Sequence, residues 1–282
     1  MITHSPQTTQ SLFDFLEQIG IPTVSKTETV VEVTVCRYAT GSYLENHPEF
    51  RSELSNLPHR FHRLCVAYSK SLPQNIELQQ MEELARKTFL VIEGACINLG
   101  YPLTALKLQL GITREGNLAV SEVIDNDALV EQLASQFRIP KQTLVFWRGS
   151  ESDKLPEMDT LAGLTIERPV ISAHKKPTYA MEELERLHTI YPEGGVIIAL
   201  VGMSNGLGPI LSARTDWPVI SVCTTANEHP EDVWSNLRMP SDVPNLTVLS
   251  AKNALLAAFD ILGQKNPAIY AYRRLAIEEL DK

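Results

Sequence analysis

Residues 143–148 (TLVFWR), 195–201 (GVIIALV) and 218–222 (PVISV) are almost continuously apolar. A strand without apolar–polar alternation is covered on both faces, as happens in a parallel sheet flanked by helices. Helical spacing fills the gaps between these runs. A helix from Pro177 is expected to bury Met181, Leu184, Leu187 and Tyr191. Residues 252–262 (KNALLAAFDIL) are apolar nearly all round, so that helix is expected to be buried, with Gly263 as its stop. Asn266 and Pro267 then form an N-cap and first-turn pair for a last helix. Weaker strands are expected at 166–171 (IERPVI), where Pro169 demotes the segment towards an edge, and at 246–249 (LTVL). A short helix is expected near 230–237. The alternation predicts a doubly wound α/β domain over 141–282.

The grammar before Pro140 is different and predicts a smaller α+β domain over 1–140. Residues 11–19 (SLFDFLEQI) have helical spacing and are closed by Gly20 and Pro22. Residues 30–36 (VVEVTVC) alternate as a strand, while 45–75 are polar and give little signal. A long helix is expected over 76–99, ended by Gly100 and Pro102. Strands at 104–110 and 118–124 flank a hairpin turn, Arg114-Glu115-Gly116-Asn117. A short helix over 128–137 leads to the boundary at Ile139-Pro140.

Composition removes several classes of function. Of 282 residues, 44% are hydrophobic and 21% charged, a globular balance, and the net charge of −9 repels polyphosphate backbones. Nucleic acid is therefore not an expected partner. No apolar run approaches the roughly 20 residues of a membrane span, and the polar N-terminus has no signal-peptide layout, so a cytoplasmic location is expected. Cys36, Cys65, Cys96 and Cys223 stand far apart without a Cys-x-x-Cys pair, which predicts reduced, mostly buried thiols with neither a zinc site nor a disulfide framework.

In a doubly wound domain, ligands bind beyond the carboxyl ends of the strands. Three loops there are unusual. Gly149-Ser150-Glu151-Ser152-Asp153 offers hydroxyls, backbone amides and a carboxylate suited to a phosphate or ribose. Ser172-Ala173-His174-Lys175 places a proton carrier beside an anion contact. Gly202-Met203-Ser204-Asn205-Gly206-Leu207-Gly208-Pro209 allows close backbone approach. Each is an ordinary loop alone; at successive strand ends of one sheet they would line one crevice.

GSESD, SAHK and SNGLGP, in this order, resemble the carboxylase domain of 5-aminoimidazole ribonucleotide (AIR) carboxylases of class II, which animals fuse to SAICAR synthetase. PVISV, DVWSNLRMPS, TVLS and NALLAAFDIL look like later segments of that domain, so the resemblance covers about 143–265. ATGSYL (39–44), ELARKTFLVIEG (83–94), LKLQLGIT (106–113) and SEVIDND (121–127) are similar to the second half of SAICAR synthetase. The resemblance implies that AIR is carboxylated at carbon 4 with CO2, reversibly, in purine biosynthesis, without ATP, biotin or metal. It implies His174 as acid/base, with Ser204 and Asn205 as further catalytic residues and Gly206 helping them shape the CO2 pocket. Lys175 and Ser150 would hold the phosphate, and Asp153 the ribose hydroxyls or exocyclic amine. Gly149, Ser152, Ser172, Ala173, Gly202 and Leu207 complete the substrate contacts it implies. Homo-oligomers, octamers in the family, are expected as well.

Departures from the family pattern are specific. Met203 stands where arginine is usual and Val201 where alanine is usual. The segment between Asp153 and Ser172 is short, so the first crossover helix is expected to be trimmed or lost. Residues 223–229 (CTTANEH) replace a proline-containing turn. Gln109 stands where SAICAR synthetases carry a glutamate that helps hold metal and nucleotide. Asp125 and Asp127 remain, but Ala128-Leu129-Val130 replaces an arginine-bearing segment. The first domain therefore reads as a non-catalytic remnant. Two other functions are compatible with these departures: carboxylation or decarboxylation of another heteroaromatic nucleotide, and an idle assembly or regulatory subunit.

Overall fold

A computed structural model describes residues 6–25, 31–50, 59–68, 76–125, 129–153 and 155–280. Asp127 and Ala128 lie outside the described residues. The chain divides into two compact units, one of 1–139 together with 264–282, the other Pro140–Gly263.

The first unit contains α1 (Pro6–Gln18), β1 (Val31–Tyr38), α2 (Gly41–Asn46), β2 (Arg60–Tyr68), α3 (Leu78–Asn98), β3 (Ala105–Ile112), β4 (Leu118–Ile124) and α4 (Leu129–Leu133). The strands form an antiparallel sheet in the order β2-β1-β3-β4. Alternation along β1 turns Val31, Val33 and Val35 to the core with Leu106, Leu108 and Leu110 of β3. Phe89, Leu90 and Ile92 of α3 and Phe15 and Leu16 of α1 join the same core. Gly116 adopts φ +87° in the β3–β4 turn, a left-handed value that glycine takes without steric cost. The strand β2 was not foreseen in the polar 45–75 region. It is an edge strand on which only Leu64 is buried, so its residues carry almost no hydrophobic pattern.

The same alternation that buries the valines of β1 also buries Arg37, whose side chain is fully inaccessible. Its guanidinium donates to both oxygens of Glu93, at 2.7 and 2.9 Å, and contacts Glu278 at 2.9 Å. Glu278 also accepts from Arg86 at 2.7 Å and from the Leu64 N–H at 3.1 Å, and Tyr270 Oη donates to Glu93 at 2.9 Å. Tyr270 and Glu278 belong to the last helix, Pro267–Glu278, which is capped by the Asn266 side chain as expected. That helix packs along α3, where Gly94 has no room for a Cβ against Tyr270 and Pro267. The sequence reading put 264–282 with the second domain. The buried charges correct this, because Arg37 and Arg86 require the Glu278 carboxylate as a partner.

The second unit contains β5 (Gln142–Arg148), β6 (Leu164–Glu167), α5 (Pro177–Ile190), β7 (Gly195–Val201), α6 (Leu207–Ser212), β8 (Val219–Cys223), α7 (Trp234–Leu237), β9 (Asn245–Thr247) and α8 (Ala251–Leu262). The parallel sheet runs β6-β5-β7-β8-β9. Counted by appearance this is 2-1-3-4-5, the flavodoxin-like doubly wound order. The three continuously apolar strands are central and buried on both faces. Val145, Trp147, Ile197, Ala199 and Val219 pack under Ala180, Leu184 and Leu187 of α5, while α8 contacts β7 and β8.

Two details differ from expectation and a third agrees with it. Helix α8 is buried on one side only, through Ala254, Leu255, Ala258, Phe259 and Leu262, because it covers a sheet rather than crossing a core. Strand β6 ends at Glu167: Pro169 offers no N–H, and pairing resumes only as a bridge between Val170 and Arg148. Residues 155–163 contain no helix, in keeping with a trimmed first crossover.

Burial by itself would raise the Glu278 carboxyl, but the bonds from Arg86, the Leu64 N–H and Arg37 outweigh it and hold it below its ordinary range. The stability it contributes is therefore complete above the ordinary carboxylate range and is lost as pH falls through the depressed value. Glu278→Ala removes the carboxylate that the two guanidiniums share, leaving Arg37 to Glu93 and Arg86 to Glu279, and should cost about 3 kcal/mol in urea unfolding at neutral pH. Glu49→Ala, at an exposed carboxylate, should change stability by less than about 0.5 kcal/mol.

Candidate active site

The strand order reverses at β5, so the crevice of a doubly wound sheet lies between the loops after β5 and β7. Those are the first and third loops singled out by composition. The second follows the Val170 bridge, beside the end of β5, and is tied there by Ile171 N–H to Arg148 O at 3.0 Å and Trp147 Nε1–H to Ile171 O at 3.0 Å.

The first loop is a tight turn held by its own groups. The Ser150 N–H donates to Asp153 Oδ2 at 3.1 Å, and the Ser152 hydroxyl to Ser150 Oγ at 3.0 Å. Arg148, at the last position of β5, donates to the carbonyls of Glu151 and Asp153 at 3.3 and 3.4 Å. Gly149 has open space around the Cβ position, while Ser150 and Ser152 are exposed.

In the second loop the Ser172 hydroxyl accepts from the Lys175 N–H at 3.4 Å and its carbonyl from Lys176 N–H at 2.8 Å, opening α5. Ala173 is buried in the core with Trp147 and Leu184. His174 and Lys175 are exposed. The imidazole lies directly against Gly206 of the third loop, where a Cβ would collide with Nε2, Cε1 and Cδ2. Glycine at 206 is thus the condition for the second and third loops to meet.

In the third loop Ser204 is exposed, but Asn205 is buried at 6% exposure. Asn205 Nδ2 donates to Ser221 Oγ at 2.9 Å, and Oδ1 accepts from the Gly208 N–H at 2.8 Å, an otherwise orphaned amide in the first turn of α6. The Ser221 hydroxyl donates to Asn245 Oδ1 at 2.8 Å, and Gly208 leaves room for all three polar side chains. Both ends of the Asn205 amide are thus engaged in bracing the loop. Leu207 and Ala173 are likewise core residues, so any ligand contact from them is through backbone. Gly202 sits against Thr225, and Met203 adopts φ +51° with its side chain 75% exposed.

The loop after β8, to which the sequence motifs gave no site role, bonds to the first and third loops. Thr224 Oγ1 donates to Asp153 Oδ1 at 2.9 Å, tying the fourth loop to the first. Thr225 Oγ1 accepts from the Met203 N–H at 3.2 Å and donates to Asp232 Oδ2 at 2.6 Å, while Ser235 Oγ accepts from the Asn205 N–H at 3.0 Å. The available signal was their position, two hydroxyls just past the end of a buried strand. An open crevice of about 820 Å³ lies here, lined by Ser152, Asp153, Thr224, Asn227 and Ser250 among others. Of the expected site residues only Ser152 and Asp153 reach it. Among the described residues no three His, Cys, Asp or Glu side chains gather as metal ligands would.

In the first unit, the described residues at the positions singled out by resemblance make local contacts. Asp125 Oδ2 accepts from the Val130 N–H at 2.9 Å, serving the start of α4. Gln109 reaches Glu32 at 3.5 Å and its carbonyl accepts from Ser121 Oγ at 3.0 Å.

Gly206→Ala should displace the imidazole, shifting the His174 ring signals in NMR spectra and costing about 1–3 kcal/mol by overpacking. Gly149→Ala, with space for its Cβ, should alter stability by less than about 0.5 kcal/mol.

Comparison with known proteins adds an independent result. Residues 145–279 match the family described as AIR carboxylase. The human bifunctional phosphoribosylaminoimidazole carboxylase/phosphoribosylaminoimidazole succinocarboxamide synthetase is 26% identical over 356 aligned positions, covering 97% of this chain and 82% of that protein. A phosphoribosylaminoimidazole-succinocarboxamide synthase of Chloroflexus aurantiacus is 34% identical over 147 residues, covering 43% of this chain and 59% of that protein. Among solved structures, a Treponema denticola PurE aligns with a TM-score of 0.43 and 22% identity over 50% of this chain and 91% of that one.

Proposed function

We propose that this chain, which residues 145–279 place in the AIR carboxylase family and which also carries a SAICAR synthetase-like region, carboxylates AIR at the crevice above β5 and β7. It is a carboxy-lyase of purine biosynthesis. The observation that carries the site assignment is the contact of the His174 imidazole with Gly206, which joins a proton carrier to the exposed Ser204 loop.

The chemistry asks for positioning and proton management. The aminoimidazole ring is an electron-rich enamine, and its carbon 4 attacks CO2, forming the carbon–carbon bond. His174 removes the proton from that carbon and restores aromaticity, then returns it to solvent; in the reverse direction it protonates carbon 4 as CO2 leaves. Ser204 donates to the nascent carboxylate. Lys175 and the hydroxyls and amides of 149–152 take the phosphate. Asp153, fixed from both sides by Ser150 N–H and Thr224 Oγ1, accepts from the ribose hydroxyls or exocyclic amine. Asn205 acts as a positioning residue, because both ends of its amide are engaged in the fold. None of these steps requires ATP, biotin or a metal.

The first unit is read as a non-catalytic remnant, supported by Gln109 in a glutamate position and by Asp125 serving α4. A cytoplasmic homo-oligomer, with eight subunits as its resemblance implies, is the assembly that fits. Met203, Trp234, Leu237, Leu246 and Leu249 of the second unit, large apolar side chains left exposed, support association.

Purified chain given AIR and bicarbonate without ATP should form the 4-carboxylate. His174→Asn should lower that rate by about 10²–10⁴-fold while calorimetric AIR binding persists. A variant as fast as the parent would remove His174 from the mechanism. ATP with magnesium should leave the thermal unfolding temperature unchanged, and a clear rise would overturn the remnant reading.

A further inference from the structure

The register of the first unit sets Cys36 of β1 directly opposite Cys65 of β2. Directly opposed residues of antiparallel strands project to the same face, with Cα atoms roughly 4.5 or 5.5 Å apart. Disulfides span Cα separations of roughly 4.4–6.8 Å, so either class of pair lies within reach with a small adjustment. Both thiols are free. Of the other two cysteines, Cys96 is buried on α3 and Cys223 belongs to the second unit, and neither has a cysteine as strand partner.

We propose that Cys36 and Cys65 are a redox-active pair that forms a reversible cross-strand disulfide. A low-molecular-weight disulfide such as oxidised glutathione is the oxidant. Cys65 is half-buried and Cys36 only 3% exposed, so the oxidant meets Cys65 first. The Cys65 thiolate attacks one oxidant sulfur, breaking its S–S bond and releasing one glutathione thiolate. The Cys36 thiolate then attacks the Cys65 sulfur and expels the second. One S–S bond has formed and one has broken, and the two thiol protons end on glutathione.

Burial pushes Cys36 up to about 12, and the adjacent Cys65 adds to that shift; burial raises Cys65 as well. The attacking thiolates are therefore minor species at neutral pH, and exchange with the oxidant is slow. Its place in the fold gives oxidation a consequence. Strand β2 is the sheet edge, and its pairing with β1 is interrupted just past Cys36, beside the buried Arg37. A link at this point fastens the edge strand where the ladder breaks, and it closes the segment 37–64 into a loop in the unfolded chain.

The test is native oxidation of the whole chain with excess oxidised glutathione, followed by thiol counting, intact mass and peptide mapping without reductant. The expected product has lost two thiols and the mass of two hydrogens and yields a Cys36–Cys65 linked peptide. Its unfolding temperature is several degrees higher, and dithiothreitol reverses the change. Cys65→Ser should retain its remaining thiols under the same treatment. Four surviving thiols, a glutathione adduct that persists on Cys65, or a link to Cys96 or Cys223 would overturn the proposal. A cross-link that leaves the unfolding temperature unchanged would overturn the fastening role.

Discussion

Parallel pairing of β5 with β6 and β7, and of β7 with β8, brings four strand ends to one edge of the sheet. Every group assigned to catalysis depends on that constraint. The loops after those strands are short and polar, and each is fixed to a neighbour by a specific contact. Asn205 braces the glycine loop through Ser221 and Gly208, Thr224 holds Asp153, and Gly206 makes room for His174. A reaction whose electrons come from the substrate ring needs this kind of support, because the protein supplies geometry and a mobile proton.

The two units solve the same physical problem differently. In the second, apolar strands are covered on both faces and the polar groups gather at the edge, where a ligand can reach them. In the first, the core admits charge: Arg37 and Arg86 are buried against Glu93 and Glu278. A buried pair of this kind contributes little net stability, yet breaking it is costly, so it fixes which segments must be present. It is the reason the last helix belongs with the first unit although 124 residues of another unit, Pro140–Gly263, intervene.

Legibility varied with the kind of signal. Strand 195–201 was readable to the residue because continuous apolarity has one explanation in a chain of this pattern. The hairpin at 113–117 and the Asn266 cap were readable because glycine and asparagine supply specific local geometry. Strand β2 was not, since an edge strand with one buried residue leaves no periodicity to find. His174, Lys175, Ser204 and Asp153 could be nominated from loop composition and resemblance. The distinct fate of Asn205, adjacent to Ser204 and just as polar, could not, because its partners Ser221 and Gly208 are chosen by tertiary packing.

By itself the sequence determined the doubly wound class, the boundary near Pro140, and the composition of the loops at the strand ends. Those follow from periodicity and local conformational preference, which are properties of neighbouring residues. Tertiary structure alone decided that Thr224 and Thr225 bond to Asp153 and Met203, that Cys36 faces Cys65, and that Glu278 neutralises arginines from β1 and α3. Each of these joins residues distant in the chain, and the energy of such a contact depends on burial and geometry that no local window contains.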